Sequence, residues 1–221
     1  MGNDLCPSLQ QGMSLFSPLL SADPKTIDAY AIRVRDLYGR MGTAYDQAAA
    51  CYGFTCNGCD ENCCEERFYH HTLSEFLCLM KGVQTFDDDT RQKIYAKARE
   101  VKELYRRHDA EGRAQRVICP LNRDGLCGLY EYRMMICRLH GVPYRMRRPD
   151  GAVTRGGGCH KIDWDLLDEK SSACMLDRTD LYRELSAIEI DLRQLLGFGH
   201  RINMTIAEML TEMEDLLSLS S

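Results

Sequence analysis

The sequence predicts a mainly α fold: a single helical domain built around a cysteine-rich core, with a helical hairpin at its C-terminal end. Three observations predict it. Apolar residues recur at helical spacing in several long stretches, and most of these open on capping signals. Strand signals are few and short. The chain has 221 residues, 44% of them hydrophobic and 28% charged, which is an ordinary globular composition with enough length to bury a core.

Residues 1–22 lack periodicity and carry Gly, Ser and Pro, so they read as an irregular arm. Asp23 followed by Pro24 is a helix start, because proline's missing N–H is not needed in the first turn. A helix over 23–50 follows, with Ile27, Tyr30, Ala31, Val34, Leu37, Tyr38 and Met41 on one face. Residues 51–160 form the cysteine-cluster segment, and 51–66 within it read as loop. Thr72 and Glu75 make a capping box ahead of Phe76, Leu77, Leu79 and Met80. A longer helix starts at the acidic run Asp87 to Asp89, carries Ile94, Tyr95, Ala98, Val101, Leu104 and Tyr105, and ends before Gly112. Asn122-Arg123-Asp124-Gly125 is a turn signal between two short apolar stretches. Leu129 to His140 reads as a helix stopped by Gly141 and Pro143, and 141–162 as loop. In the segment 161–221, a helix from Leu181 to Leu196 stops at Gly197, and another begins at Ile206 behind a Thr205/Glu208 capping box. The short connection between them predicts an αα-hairpin packed on the same domain. The last helix carries four acids and no basic residue, read as a solvated face.

Composition excludes several function classes. A net charge of −5 argues against a nucleic-acid binder. No apolar run is long enough to span a bilayer, so no membrane role is expected. The first twenty residues lack a basic region and are broken by Pro7 and Pro18, a poor signal peptide, so a cytoplasmic location is expected. The 12 cysteines are too sparse for a disulfide scaffold in a chain of this length. In a reducing compartment they are expected to be metal ligands or redox groups.

The cysteines fall into two groups and a single. The first is Cys56-x2-Cys59-x3-Cys63-Cys64. A two-residue gap lets both thiolates of such a knuckle face one ion, a spacing shared by zinc and iron–sulfur sites. Adjacent side chains diverge, so Cys63 and Cys64 suit two ions, or one ligand and one bystander. The second group is Cys119-x7-Cys127-x9-Cys137, and Cys159 follows three glycines. Eight candidate ligands result. They fit one or two thiolate-bound zinc or iron ions, or an iron–sulfur cluster. Residues 133–148 hold five arginines (133, 138, 145, 147 and 148) and no acid, either a counter-charge that would lower the thiol pKa values or an ordinary solvated face.

The run Phe54-Thr55-Cys56-Asn57-Gly58-Cys59 … Cys63-Cys64, then Cys119-Pro120-Leu121 … Cys127-Gly128-Leu129-Tyr130-Glu131-Tyr132-Arg133 … Cys137-Arg138, resembles the YkgJ-type CxxCxxCC cysteine-cluster family over about residues 51–160. The resemblance implies a zinc- or iron-chelating protein whose metal is held by the cysteine cluster. The chain departs from the family pattern in having three residues (Asp60, Glu61 and Asn62) before the Cys-Cys pair, and Met134 where a proline is usual.

The remaining candidates carry less. Cys6, Cys51, Cys78 and Cys174 lie outside the pattern; Cys78, among Leu77, Leu79 and Met80, is expected to be a buried apolar thiol, and Cys51 is near enough to Cys56 to replace a ligand. His70, His71, His140 and His160 follow cysteines and could each replace one in a site of three cysteines and one histidine, His140 and His160 being the better pair. Gly156-Gly157-Gly158 lacks the Lys-Ser/Thr of a phosphate loop and is read as a flexible approach to the metal. No hydrolase or metalloprotease motif is present and no catalytic residue is singled out. The expectation is therefore a structural or accessory metal-binding protein, with an iron–sulfur electron-transfer or redox-sensing protein and an open-site metalloenzyme as alternatives. A protein partner is open, and no small-molecule substrate is inferred.

Overall fold

A computed structural model describes residues 14–56, 63–113, 116–162 and 173–218. Helices dominate, so the mainly α expectation holds. The long helix α2 spans Pro24–Cys51, after a short α1 at Pro18–Ser21. The Asp23 carboxylate caps α2 by accepting from Thr26 N at 3.0 Å, as the Asp-Pro pair predicts. Ile27, Val34, Leu37, Tyr38 and Met41 form its buried face.

Helix α3, Leu73–Val83, is buried on nearly all sides and lies at the centre. Phe76, Leu77, Leu79 and Met80 join one apolar cluster with α4 (Asp88–Ala110) and the C-terminal helix. Cys78, on another face, joins a second cluster with Val34, Leu37 and Met41 of α2. Helix α6 spans Thr179–Leu196 and ends at Gly197, whose φ of 60° is the left-handed cap that glycine adopts without strain. Helix α7, Ile206–Ser218, opens on the predicted capping box: Thr205 N donates to the Glu208 carboxylate at 2.7 Å, and Glu208 N donates to Thr205 Oγ1 at 3.3 Å.

Several expectations need correction. Helices α6 and α7 both exist but do not make the predicted hairpin pairing: α7 packs chiefly on α4, and α6 on α2 and α3. The apolar stripe of α4 offers α7 a longer partner face. The arm is anchored where it is described. Phe16 is fully buried, its ring stacked on Phe76 at 3.7 Å between centroids and 6.0 Å from Phe198. Residues 141–162 are not all loop. They contain β3 (Tyr144–Arg147) and β4 (Val153–Gly156), antiparallel, with β5 (Leu176–Asp177) added parallel to β3. Cys51 and Cys174, both outside the cluster pattern, form a disulfide with Cα atoms 5.7 Å apart, so Cys51 is not a spare thiol that replaces a ligand.

The predicted turn at 122–125 is a hairpin between β1 (Asn122–Arg123) and β2 (Leu126–Cys127). Asp124 (φ 50°) and Gly125 (φ 85°) take the paired positive φ of a two-residue turn that matches strand twist. Leu129–His140 is not one helix: a single 3₁₀ turn at Tyr130–Tyr132 precedes a four-residue α5, Met135–Arg138. Among the described residues no helix is long and apolar enough to cross a membrane.

Candidate metal centre

The cysteine-bearing segments are short and irregular, and the helices pin them. Cys63 and Cys64 lie on a 3₁₀ turn, Cys63–Glu65. Cys119 N donates to Cys64 O at 2.8 Å, which ties the first cysteine group to the second. Cys127 ends β2, and Gly128 N donates to Leu121 O at 2.8 Å, folding that stretch back toward Cys119. Cys137 sits on α5. Cys159 N donates to Gly141 O at 2.8 Å, which brings the fourth segment in beside His140.

Two adjoining cavities result. The inner one, of ≈ 60 Å³, is lined by Cys63, Cys64, Cys119, Cys127, Cys137 and His70 among apolar side chains such as Leu79 and Met134. The outer cleft, of ≈ 310 Å³, is lined by Cys56, Cys63, Cys64, Cys127 and Cys159, with Arg133, Arg138 and Lys161 around it. Cys63, Cys64 and Cys127 are common to both walls. Thus seven of the eight sequence-predicted ligands line this pair of cavities, and Cys59 lies outside the described residues. Cys6 also lies outside them. Among the described residues, no three Cys, His, Asp or Glu side chains are grouped so as to hold an ion as they stand.

Burial, not the arginines, sets the state of the inner thiols. Desolvation pushes Cys119 up to about 12 and raises Cys137 further, although Arg133 acts on Cys137 in the opposite sense. Cys127 is also raised by burial, against the pull of Arg133 and Arg138. The arginines do act in the lowering sense on Cys127 and Cys137, but burial outweighs them there. The arginine run itself divides. Arg133 donates to Cys137 O, and Arg138 donates to the carbonyls of Tyr130 and Glu131 at 3.0 Å each, so these two hold the α5 segment in place. Arg145 pairs with Asp177 at 3.0 Å and Arg148 with Asp150 at 3.3 Å, on the exposed β-hairpin.

The four histidines also separate. His70 is 2% exposed, and burial depresses its pKa to about 4, which leaves a neutral imidazole. Its Nε2 is buried with no hydrogen-bond partner. His71 turns Nδ1 to Ile202 O at 3.3 Å instead. His140 meets Phe68 edge-on, with centroids 5.3 Å apart. His160 Nδ1 lies 3.8 Å from Cys159 Sγ. Cys78 is fully buried and raised to about 12 by desolvation, the inert thiol that its neighbours predict.

The glycine run was expected to be a flexible approach to the metal, but Gly156 and Gly158 are closely packed and leave no room for a side chain. A Cβ on Gly156 would stand 2.2 Å from the Tyr144 ring. One on Gly158 would stand 2.6 Å from Ile162 Cδ1 and 2.8 Å from Gly141 O. Sequence reasoning missed two contributors. Tyr45 lines the outer cleft, its phenol pushed up to about 12 by burial and by Cys56. Glu75, read only as a cap, reaches across the core: its Oε1 accepts from Met135 N at 2.7 Å and from Tyr38 OH at 3.0 Å. No local pattern signals that second role, because both donors are distant in sequence.

The donor set suits a thiophilic ion: thiols on both cavity walls, and one buried imidazole nitrogen that nothing in the fold satisfies. No protein-family model, curated protein or solved structure matches the chain.

Proposed function

We propose that this chain chelates zinc or iron through Cys56, Cys59, Cys63, Cys64, Cys119, Cys127, Cys137 and Cys159, in a structural or accessory role and not a catalytic one. One observation carries the reading: segments far apart in sequence bring seven of these cysteines to the walls of two adjoining cavities. Random burial of apolar thiols would not gather them while leaving Cys78 outside both cavities. The walls are not a ready ligand shell. Capture of an ion therefore includes closing them, with loss of thiol protons, and metal affinity becomes part of folding free energy. The open outer cleft, with its cationic rim, favours a second reading in which the same thiolates hold an iron–sulfur cluster that exchanges electrons at the surface.

Anaerobic purification, metal analysis and a visible spectrum test both. Stoichiometric zinc in a colourless protein supports the first reading, and a brown protein with iron and sulfide the second. A chain that carries neither metal and takes up neither overturns both. Cys127→Ser should remove metal and Cys78→Ser should not; equal behaviour refutes the ligand assignment. Cytoplasmic residence belongs to the same proposal. The Cys51–Cys174 disulfide is the observation that weighs against it: cells quenched with an alkylating agent should yield this pair as thiols if the residence is cytoplasmic, and a recovered disulfide would assign an oxidising compartment instead.

A further inference from the structure

The inner cavity contains a polar atom that the fold leaves unanswered. His70 is held by its backbone: His70 N donates to Met204 O at 2.7 Å, and Met204 N donates to His70 O at 3.1 Å. Two residues later the chain enters the capped start of α3. The backbone is thus fixed on both sides, and His70 is one of the residues that line the cavity shared with Cys119 and Cys137. Its Nε2 is buried without a donor or acceptor. An absent ion or water is a standard reason for an orphaned buried nitrogen. Five other buried side-chain atoms are also unpartnered, Arg67 Nε and His108 Nδ1 among them, but of the six residues only His70 lines a cavity walled by cysteines. A water needs two to four polar partners. The lining includes Glu66, Tyr105, Arg133 and Thr205, yet five of its residues are cysteines, whose sulfur suits a metal better.

We infer that His70 Nε2 is a ligand of a zinc-class ion in the inner cavity, together with Cys119, Cys137 and one of the three cysteines that line both cavities. The inference rests on the metal-binding reading above and sharpens it. Cys119 and Cys137 line the inner cavity alone, whereas Cys56 and Cys159 line the outer cleft alone. The division gives each cavity its own cysteines and lets the wall cysteines complete either site. A set of three thiolates and one imidazole is a closed tetrahedral zinc shell. It also suits the surroundings. Three thiolates on a divalent ion leave one net negative charge where four would leave two, and a buried site among apolar side chains disfavours the larger charge. On binding, three thiols each lose a proton to solvent and the neutral imidazole donates its Nε2 lone pair; no electrons are exchanged.

The test uses the full chain, stripped of metal under anaerobic conditions, with a uniform ¹⁵N label and zinc as the titrant. The imidazole nitrogen that shifts on zinc binding should be Nε2 of His70, identified by its absence in His70→Gln. Cobalt(II) serves as a second probe, because its d–d and thiolate charge-transfer bands respond to the ligand set. His70→Gln should alter those bands and weaken zinc binding by more than the roughly 10- to 100-fold that loss of an outer-shell partner causes. His71→Gln should change neither. Zinc binding by the wild type with no imidazole shift, or wild-type affinity and spectrum in His70→Gln, overturns the assignment and leaves the thiol reading standing. Failure of the wild type to bind zinc, cobalt or iron overturns both. Should His70→Gln not fold, the wild-type ring signals are assigned by backbone-to-ring correlations in doubly labelled protein, and zinc binding that leaves the His70 ring unshifted overturns the assignment.

Discussion

Glu75 is where the helical core meets the cysteine segments, so its replacement tests how the site is held. Its carboxylate accepts from Tyr38 OH at 3.0 Å, Thr72 Oγ1 at 2.9 Å and Met135 N at 2.7 Å. These donors lie on α2, at the cap of α3 and at the first residue of α5. Glu75→Ala strands them. Tyr38 is 1% exposed, so water cannot replace the lost acceptor. Each buried donor left unsatisfied costs about 1–3 kcal/mol, so the sum is on the order of 4 kcal/mol, a large share of a typical domain's stability. Glu75→Gln keeps the shape and separates charge from hydrogen bonding. Burial raises the Glu75 pKa despite its three donors. The folded state therefore binds this proton more tightly than the unfolded chain does. The stability it contributes is complete below the unfolded pKa and is lost as pH rises through the folded one. Urea unfolding of wild type, Glu75→Ala and Glu75→Gln, followed by far-UV circular dichroism at pH 5 and pH 8, measures both effects. Glu75→Gln should gain on the wild type between the two pH values. A loss below about 1 kcal/mol in Glu75→Ala, or a Gln variant that loses ground at pH 8, would refute the reasoning.

Three further outcomes follow from the packing. Phe16→Ala should cost about 3–5 kcal/mol in the same urea assay, since its ring is fully buried against Phe76; a change under 1 kcal/mol would mean the arm is not docked. Cys51→Ser should lower stability by up to about 5 kcal/mol relative to the oxidised chain, because the pair closes a loop of sequence separation 123; identical urea midpoints would show that the bridge is not formed. Gly158→Ala should destabilise by about 1–3 kcal/mol and speed maleimide labelling of Cys159, since the new methyl group would meet Ile162, Pro143 and the Gly141 carbonyl; wild-type labelling and stability would show the segment to be loose.

The parts of this molecule that were legible in its sequence are those whose causes are local. Asp23, Thr72 and Thr205 cap the helices they were expected to cap, since each cap is settled within three residues. The turn at Asp124-Gly125 was readable for the same reason. What failed depended on distant partners. Periodicity shows that α6 and α7 each own an apolar face but not which surface covers it, and α4 lies against α7. Strand β5 has only two residues and exists because β3 offers it an edge. Phe16 carries no signal in a stretch without period, yet Phe76 and Phe198 enclose it. The Cys51–Cys174 pair spans most of the chain and no spacing could announce it. For the site, residue types and grouping were legible, whereas the split into two cavities and the separate role of His70 arise only from folding.

The contest between burial and charge at the thiols explains why the site takes this form. Arg133 and Arg138 reach the cysteines, yet their hydrogen-bonding groups are engaged by backbone carbonyls of the 130–137 stretch. Their first task is to hold a segment that makes only one 3₁₀ turn and one α turn, too short to be stable alone. Glu75 holds the same segment from the core side through Met135 N. With the cations occupied, desolvation prevails and Cys119, Cys127 and Cys137 stay protonated in the chain by itself. They are suited to a partner that displaces protons, and a divalent metal does so by forming bonds to sulfur. Helix caps and core packing thus fix where the irregular segments start and stop, and those segments bring the sulfur atoms to a common wall.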